Sequence, residues 1–176
     1  MGERTKSEDT ISRPNLLVFF QQILTKSGFL VTNYKDLKGT LDNFYSFVVE
    51  KDGKKIELTF NIRNISNAYL PNKPDIKRRQ VGKLSFEDLP LNRKDRLVML
   101  LGLKLISGEL VLVCWNPFYF VGHATNRSCY VLKSTMEKAL QCGFFAREDC
   151  KTKVYACSSL SFGELLNHYI EENAVE

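Results

Sequence analysis

Arg63, Lys73, Lys77, Arg78, Arg79 and Lys83 lie close together in the chain against a single acid, Asp75, so six cations and one anion give this segment a local charge of +5. The whole chain of 176 residues carries the same formal charge of +5, and the remainder is therefore balanced. Guanidinium and ammonium groups gathered in this way suit the backbone phosphates of a nucleic acid. Asn61, Asn64, Asn67, Asn72 and Gln80 are interleaved with them. An Asn or Gln amide pairs bidentately with adenine and an Arg fork with guanine, so the stretch NIRNISNAYLPNKPDIKRRQ holds donors for phosphates and for base edges. The competing reading is a solvated connecting loop whose asparagines make turns.

A second polar stretch, VGHATNRSCYVLK at residues 121–133, contains no acid. It offers His123, Thr125, Asn126, Arg127, Ser128 and Lys133 as contact residues, with Tyr130 beside them. Arg127 stands among small polar neighbours and is the expected base reader, while Tyr130 and Lys133 suit phosphates. The alternative is a turn at Asn126 with Arg127 paired to an acid elsewhere.

Catalytic chemistry finds less support. Pro74 and Asp75, followed by Asp149, Cys150 and Lys151, spell a metal-nuclease pattern, but such a centre needs its carboxylates and lysine to converge on a divalent ion. Here the first element falls in an expected loop and the second follows a helix, so a chance match is the expectation. His123 and His168 form no close pair, and a structural role is expected for His168 on the last helix. Cys142, Cys150 and Cys157 are too irregularly spaced for a zinc ribbon or finger, and Cys114 and Cys129 fall in apolar strand-like settings. No Gly-rich phosphate loop or GxSxG elbow is present. The expectation is no catalytic residue, no metal and no cofactor. Trp115, Phe118, Tyr119 and Phe120 suggest either core packing at a strand end or an aromatic pocket for a modified or flipped base.

The elements that must position these residues are legible in outline. Leu16, Leu17, Phe19, Phe20, Ile23 and Leu24 recur at helical spacing between Ser12 and Gly28 and predict an amphipathic helix. Phe44 to Phe60 reads as a hairpin around Lys51, Asp52, Gly53 and Lys54. Asn61 to Gln80 lacks periodicity and is expected to be a long loop. Arg96 to Ile106 and Glu109 to Trp115 pair across Ser107 and Gly108 as two central strands. Lys153 to Ser158 is a further strand. Ser134 with Glu137, and Ser161 with Glu164, spell capping boxes for two helices, the first ending at Gly143.

The result is a mostly β (α+β) domain with helices at its ends. The hydrophobic fraction of 44% suits one core, and a domain of this length buries roughly 70% of the surface of its unfolded chain. A flexible leader is expected over residues 1–13 and a single domain over residues 14–176. Five cysteines without a CxxC pair favour reduced thiols and a cytoplasmic setting. The apolar stretch from Leu97 to Trp115 is interrupted by Lys104, Ser107, Gly108 and Glu109, a strand-turn-strand pattern rather than a membrane span.

With its two polar excursions, the CWNPFYF strand exit and the HATNRSCYV segment that follows, the chain after its first helix resembles the B3-like pseudobarrel recognition domains of restriction endonucleases, which are similar to plant B3 transcription-factor domains. The opening helix departs from the simplest pattern of that family. The resemblance implies an open pseudobarrel whose two arms enter the major groove in a wrench-like grip and read duplex DNA sequence-specifically. One contact region would hold Arg63, Asn64, Asn67, Lys73, Lys77, Arg78, Arg79 and Gln80. The other would hold His123, Thr125, Asn126, Arg127, Ser128 and Lys133. The implied partners are duplex DNA and a nuclease or motor domain of a larger parent protein, with no membrane involved. Two other classes stand beside this one: a modified-base or RNA-reading module, and a protein-interaction domain using a basic face.

Overall fold

The computed structural model describes residues 10–68, 70–81, 88–120 and 128–175. The helical spacing at the start becomes α1 (Arg13–Lys26), which buries Leu16, Phe20, Ile23 and Leu24 along one side. Pro14 sits in its first turn, where a missing N–H leaves no hydrogen bond broken. Three strands follow, β1 (Leu30–Asp36), β2 (Tyr45–Lys51) and β3 (Lys54–Asn64), then two short ones, β4 (Ser66–Asn67) and β5 (Ile76–Gln80). The expected central hairpin is β6 (Arg96–Ile106) and β7 (Glu109–Trp115). After a 3-10 turn at Pro117–Phe120 come β8 (Ser128–Leu132), α2 (Lys133–Cys142), β9 (Phe144–Asp149), β10 (Thr152–Ser158) and α3 (Phe162–Asn173).

Seven strands form a large mixed sheet in the order β1-β2-β3-β6-β7-β10-β9, and β4-β5-β8 form a small antiparallel sheet. Within the large sheet β3 and β6 run parallel, and every other neighbouring pair is antiparallel. The sheets stay open, which makes the fold mostly β, an α+β open pseudobarrel. No helix among the described residues is long and apolar enough to cross a membrane.

Two apolar layers flank the large sheet. On one face Leu58, Phe60, Ile62, Leu97, Met99, Leu101, Leu112 and Cys114 pack against α1 and α3. The Phe20 ring meets Phe60 edge-on at 4.9 Å between centroids and Phe162 at 5.8 Å. On the other face Val98, Leu100, Val111, Val113 and Trp115 pack against Cys129 and Val131 of the small sheet and Met136 and Ala139 of α2. Gly102 permits the close approach of this second layer. A Cβ at that position would lie 2.6 Å from Ile65 Cγ1 and 3.1 Å from Trp115 Cζ3.

Several expectations are corrected. The stretch from Asn61 to Gln80 is largely strand: Asn61 to Asn64 extend β3 beside β6, and Ile76 to Gln80 pair with β8. That pairing joins residues more than forty positions apart, so local propensity does not register it. Packing begins before the end of the expected leader, because Ile11 is buried and its backbone is held by the Asn64 amide. The helix α2 starts at Lys133 with Leu132 at its N-cap, not Ser134. The Asp149 carboxylate reaches this terminus from β9 and accepts from the Leu132 N–H at 2.9 Å and the Thr135 hydroxyl at 2.6 Å. Ser161 does occupy the N-cap of α3, but without a side-chain cap bond.

Candidate nucleic-acid interface

The described parts of the two polar excursions meet in the small sheet. Arg78 on β5 lies opposite Tyr130 on β8, and Gln80 lies opposite Ser128; Ser66 on β4 also faces Arg78. Side chains alternate along a strand, so these five residues share the face turned away from the large sheet. Lys77 and Arg79 take the opposite sense. Lys77 is half-buried and donates from Nζ to Asn67 Oδ1 at 2.6 Å and to the Pro74 carbonyl at 2.9 Å. Burial lowers the pKa of its ammonium, and Lys104 and Lys133 lower it further against the opposing pull of Asp75. Cations therefore gather at this end of the sheet.

Arg79 is fully enclosed. Its Nε, Nη1 and Nη2 find no oxygen acceptor, although the Cys129 thiol lies beside it on the neighbouring strand. Burial drives its pKa down to about 10, and nearby Arg63 acts in the same direction. A buried guanidinium without a carboxylate is costly to hold.

Beside the small sheet, β2 stops pairing with β3 at the Tyr45–Phe60 rung, so one edge of β3 has no strand partner among the described residues from Asn61 onward. The chain entering α1 crosses this edge. Asn64 brackets Ile11, accepting its N–H at 2.9 Å and donating to its carbonyl at 2.6 Å. A cleft of about 500 Å³ remains, lined by Arg13, Tyr45, Asn61, Arg63, Asn64 and Gln80 among others. None of its described lining residues is acidic. Asn61 is 3% exposed; its Nδ2 donates to the Asn43 carbonyl at 2.6 Å, and its Oδ1 has no partner among the described residues. Arg63 has its pKa lowered by burial and then by Arg13, so the two guanidinium groups sense each other across the cleft.

The structure thus brings Arg78, Gln80 and Ser128 onto one face, gathers Lys77 and Lys133, and sets Arg63 and Gln80 at the cleft. Lys73 is exposed beside Asn67 and Pro74. Three of the expected contact residues have other occupations. Arg79 is enclosed, Asn64 uses both ends of its amide on Ile11, and Asn67 accepts from Lys77. His123, Thr125, Asn126 and Arg127 lie outside the described residues, as does Lys83. Sequence reasoning missed Arg13, which fell in the expected leader, and the unpartnered acceptor of Asn61.

The metal-nuclease pattern is closer in space than its spacing suggests. The Asp75 carbonyl accepts from the Lys133 N–H at 2.8 Å, one residue from the Leu132 N–H that bonds Asp149. Yet Asp149 is buried, and its remaining oxygen accepts from Arg147 Nε at 2.7 Å, so this carboxylate is fully engaged by protein donors. Among the described residues, no group of three His, Cys, Asp or Glu side chains is arranged to hold a metal. Trp115 and Phe120 are core residues, and the Trp115 indole N–H ties β7 to the Tyr130 carbonyl at 3.1 Å. His168 is exposed and stacks on Phe144 at 4.6 Å between ring centroids. Cys114, Cys129 and Cys157 are buried, and Cys142 and Cys150 exposed; none of the five is in a disulfide.

No curated protein and no solved structure matches the chain. A family model does match, over residues 56–166, from within β3 to within α3. That span covers well over half of the sequence and holds the strands of the small sheet, although Arg13 and Tyr45 of the cleft lie before it. The chain belongs to the methylase-associated X1 family, whose domains occur in proteins associated with restriction and modification.

Proposed function

We propose that the chain is the sequence-specific duplex-DNA recognition domain of a restriction-modification protein, and that the nuclease or motor activity belongs to another part of that protein. The observation that carries this reading is the meeting of the two polar excursions in one small sheet whose cations have no acid partner among the described residues. Of the ion pairs among the described residues, Arg147 with Asp149 uses a cation of β9 rather than of the small sheet, although Asp149 also accepts from the Leu132 N–H at the end of β8, and Lys153 with Glu172 joins β10 to α3. A cationic face with Arg, Gln, Ser and Tyr side chains supplies phosphate contacts and amide or guanidinium forks for base edges.

In this reading the small sheet and the segments leading from it form a wrench-like grip of the B3-like kind. Lys73, Lys77 and Lys133 neutralise phosphates, Arg78 and Gln80 approach the groove, and Arg127, bonded directly to Ser128, reads a guanine. The family's association with methylases fits a domain that selects the site on which a separate activity works. A selection from randomised duplexes tests this. The expected result is one enriched sequence, and binding that is tight but indifferent to sequence, or absent, overturns it.

A further inference from the structure

The cleft between α1 and β3 contains two kinds of unsatisfied chemistry. Arg13 and Arg63 line it without an acid among the described residues, and burial and then Arg13 disfavour the charge on Arg63. Arg13 is also the first residue of a helix of 14 residues with no acid in its first turn and no side-chain cap from Ser12. Free N–H groups and the positive end of the helix dipole therefore add to the two guanidinium groups. This end of the cleft suits an anion.

Asn61 adds a different demand. Because Nδ2 is fixed as the donor to the Asn43 carbonyl, the buried atom left without a partner is the acceptor Oδ1. An unmatched buried acceptor is unfavourable and gains from an incoming N–H or O–H. A bare phosphate brings acceptor oxygens and would leave Asn61 unmatched. A nucleotide brings both groups, a phosphate and a base edge or sugar hydroxyl with a hydrogen to donate. Tyr45, Leu17 and Pro14 give the lining an apolar side on which a base can lie, and the volume of about 500 Å³ falls in the usual range for a small-molecule site.

We infer that the cleft accepts a single nucleotide unit, with its phosphate between Arg13 and Arg63 at the start of α1 and a hydrogen-bond donor of its base or sugar on Asn61 Oδ1. This rests on the duplex-DNA reading for its biological context, and it adds that one nucleotide of the bound DNA leaves the stack to enter.

Calorimetric titration of the full chain with each deoxynucleoside 5′-monophosphate, with inorganic phosphate and with the matching nucleosides tests the inference. At least one monophosphate should bind about tenfold or more tightly than phosphate or its own nucleoside. Arg13→Ala, a change at an exposed position, should weaken that binding by roughly tenfold to a hundredfold, the effect of one charge-assisted contact. Asn61→Asp should remove the preference over phosphate, provided its circular dichroism matches the parent; if it fails to fold, Arg63→Ala replaces it and should match the loss from Arg13→Ala. Equal binding of phosphate and all nucleotides, or binding untouched by the Arg13 change, overturns the inference, as does no binding by a chain that holds duplex DNA. Nucleotide binding by a chain that ignores duplexes upholds the cleft and overturns only the duplex reading.

Discussion

Successive residues of β3 look into two unlike environments. Leu58, Phe60 and Ile62 enter the layer shared with α1 and α3, where rings meet rings and the buried polar atoms are matched. There the Tyr169 hydroxyl donates to the Val98 carbonyl and accepts from Asn92, whose Oδ1 accepts from the Val98 N–H at 2.7 Å. Thr59, Asn61 and Arg63 look the other way, toward the small sheet, where Asn61 Oδ1 has no partner among the described residues and the Arg79 guanidinium has the Cys129 thiol beside it but no carboxylate. The first face is what an optimised fold looks like. The second carries polar groups held at a cost, and for Asn61 at the cleft that cost is understandable if another molecule satisfies it, since functional sites are where local rules are broken.

The largest effect is expected on the saturated face. Phe60 is fully buried, within 5.1 Å of Phe47 and 4.9 Å of Phe20 between ring centroids. Phe60→Ala should lower unfolding stability by about 3–5 kcal/mol, measured by urea denaturation, and a loss below about 1 kcal/mol would mean that this layer is far looser than its contacts imply.

Arg79 should give a change of opposite sign. Arg79→Met keeps a long side chain and removes a buried charge that no carboxylate balances, and should stabilise the fold by about 1–4 kcal/mol. The sign of its pH dependence follows from the depressed pKa. The unfolded chain holds the proton more tightly than the folded one, so the penalty is complete below pH 10 and is relieved as pH rises above about 10. The advantage of the Met variant over the parent should therefore shrink between pH 8 and pH 10.5. Destabilisation by Arg79→Met would identify the guanidinium as a packing element and dissolve the contrast between the faces.

The smallest stability effect and the clearest functional one should come from the small sheet. Replacing Lys77 and Arg78 by Ala is expected to shift stability by under about 1 kcal/mol. It should flatten the dependence of DNA affinity on salt by about one unit per lost phosphate contact. An unchanged slope in a filter-binding salt series would remove this end of the sheet from the interface.

What could be read in advance divides along the same line. The helix α1, the hairpin β2–β3 and the β6–β7 pair follow from apolar periodicity, a local property that each segment carries by itself. The small sheet was hidden because its rungs, such as Arg78 with Tyr130, join distant segments rich in turn-forming residues. Charge singles out the segment, but charge alone does not say which way a side chain points. Arg78 and Arg79 look equivalent in sequence, and strand alternation sends one outward and the other into the interior. Capping failed for a similar reason, since Asp149 reaches the start of α2 from another strand and leaves Ser134 beside Arg147 instead.

The parallel pairing of β3 with β6 has a consequence for how the domain can change. Strands of the same direction cannot be joined by a tight turn, so the chain between Asn64 and Arg96 must travel back across the domain, and it does so carrying β4 and β5. Loop-closure entropy grows only logarithmically, about 0.6 kcal/mol for each doubling of length. The return path can therefore gain or lose residues with little penalty to the sheet it spans, and new contacts on a ligand can be tried there while the rungs from Glu57–Arg96 to Asn64–Leu103 stay as they are. The same long return makes this rung order a non-local closure, so the step that joins the two halves of the large sheet should be among the slowest in folding.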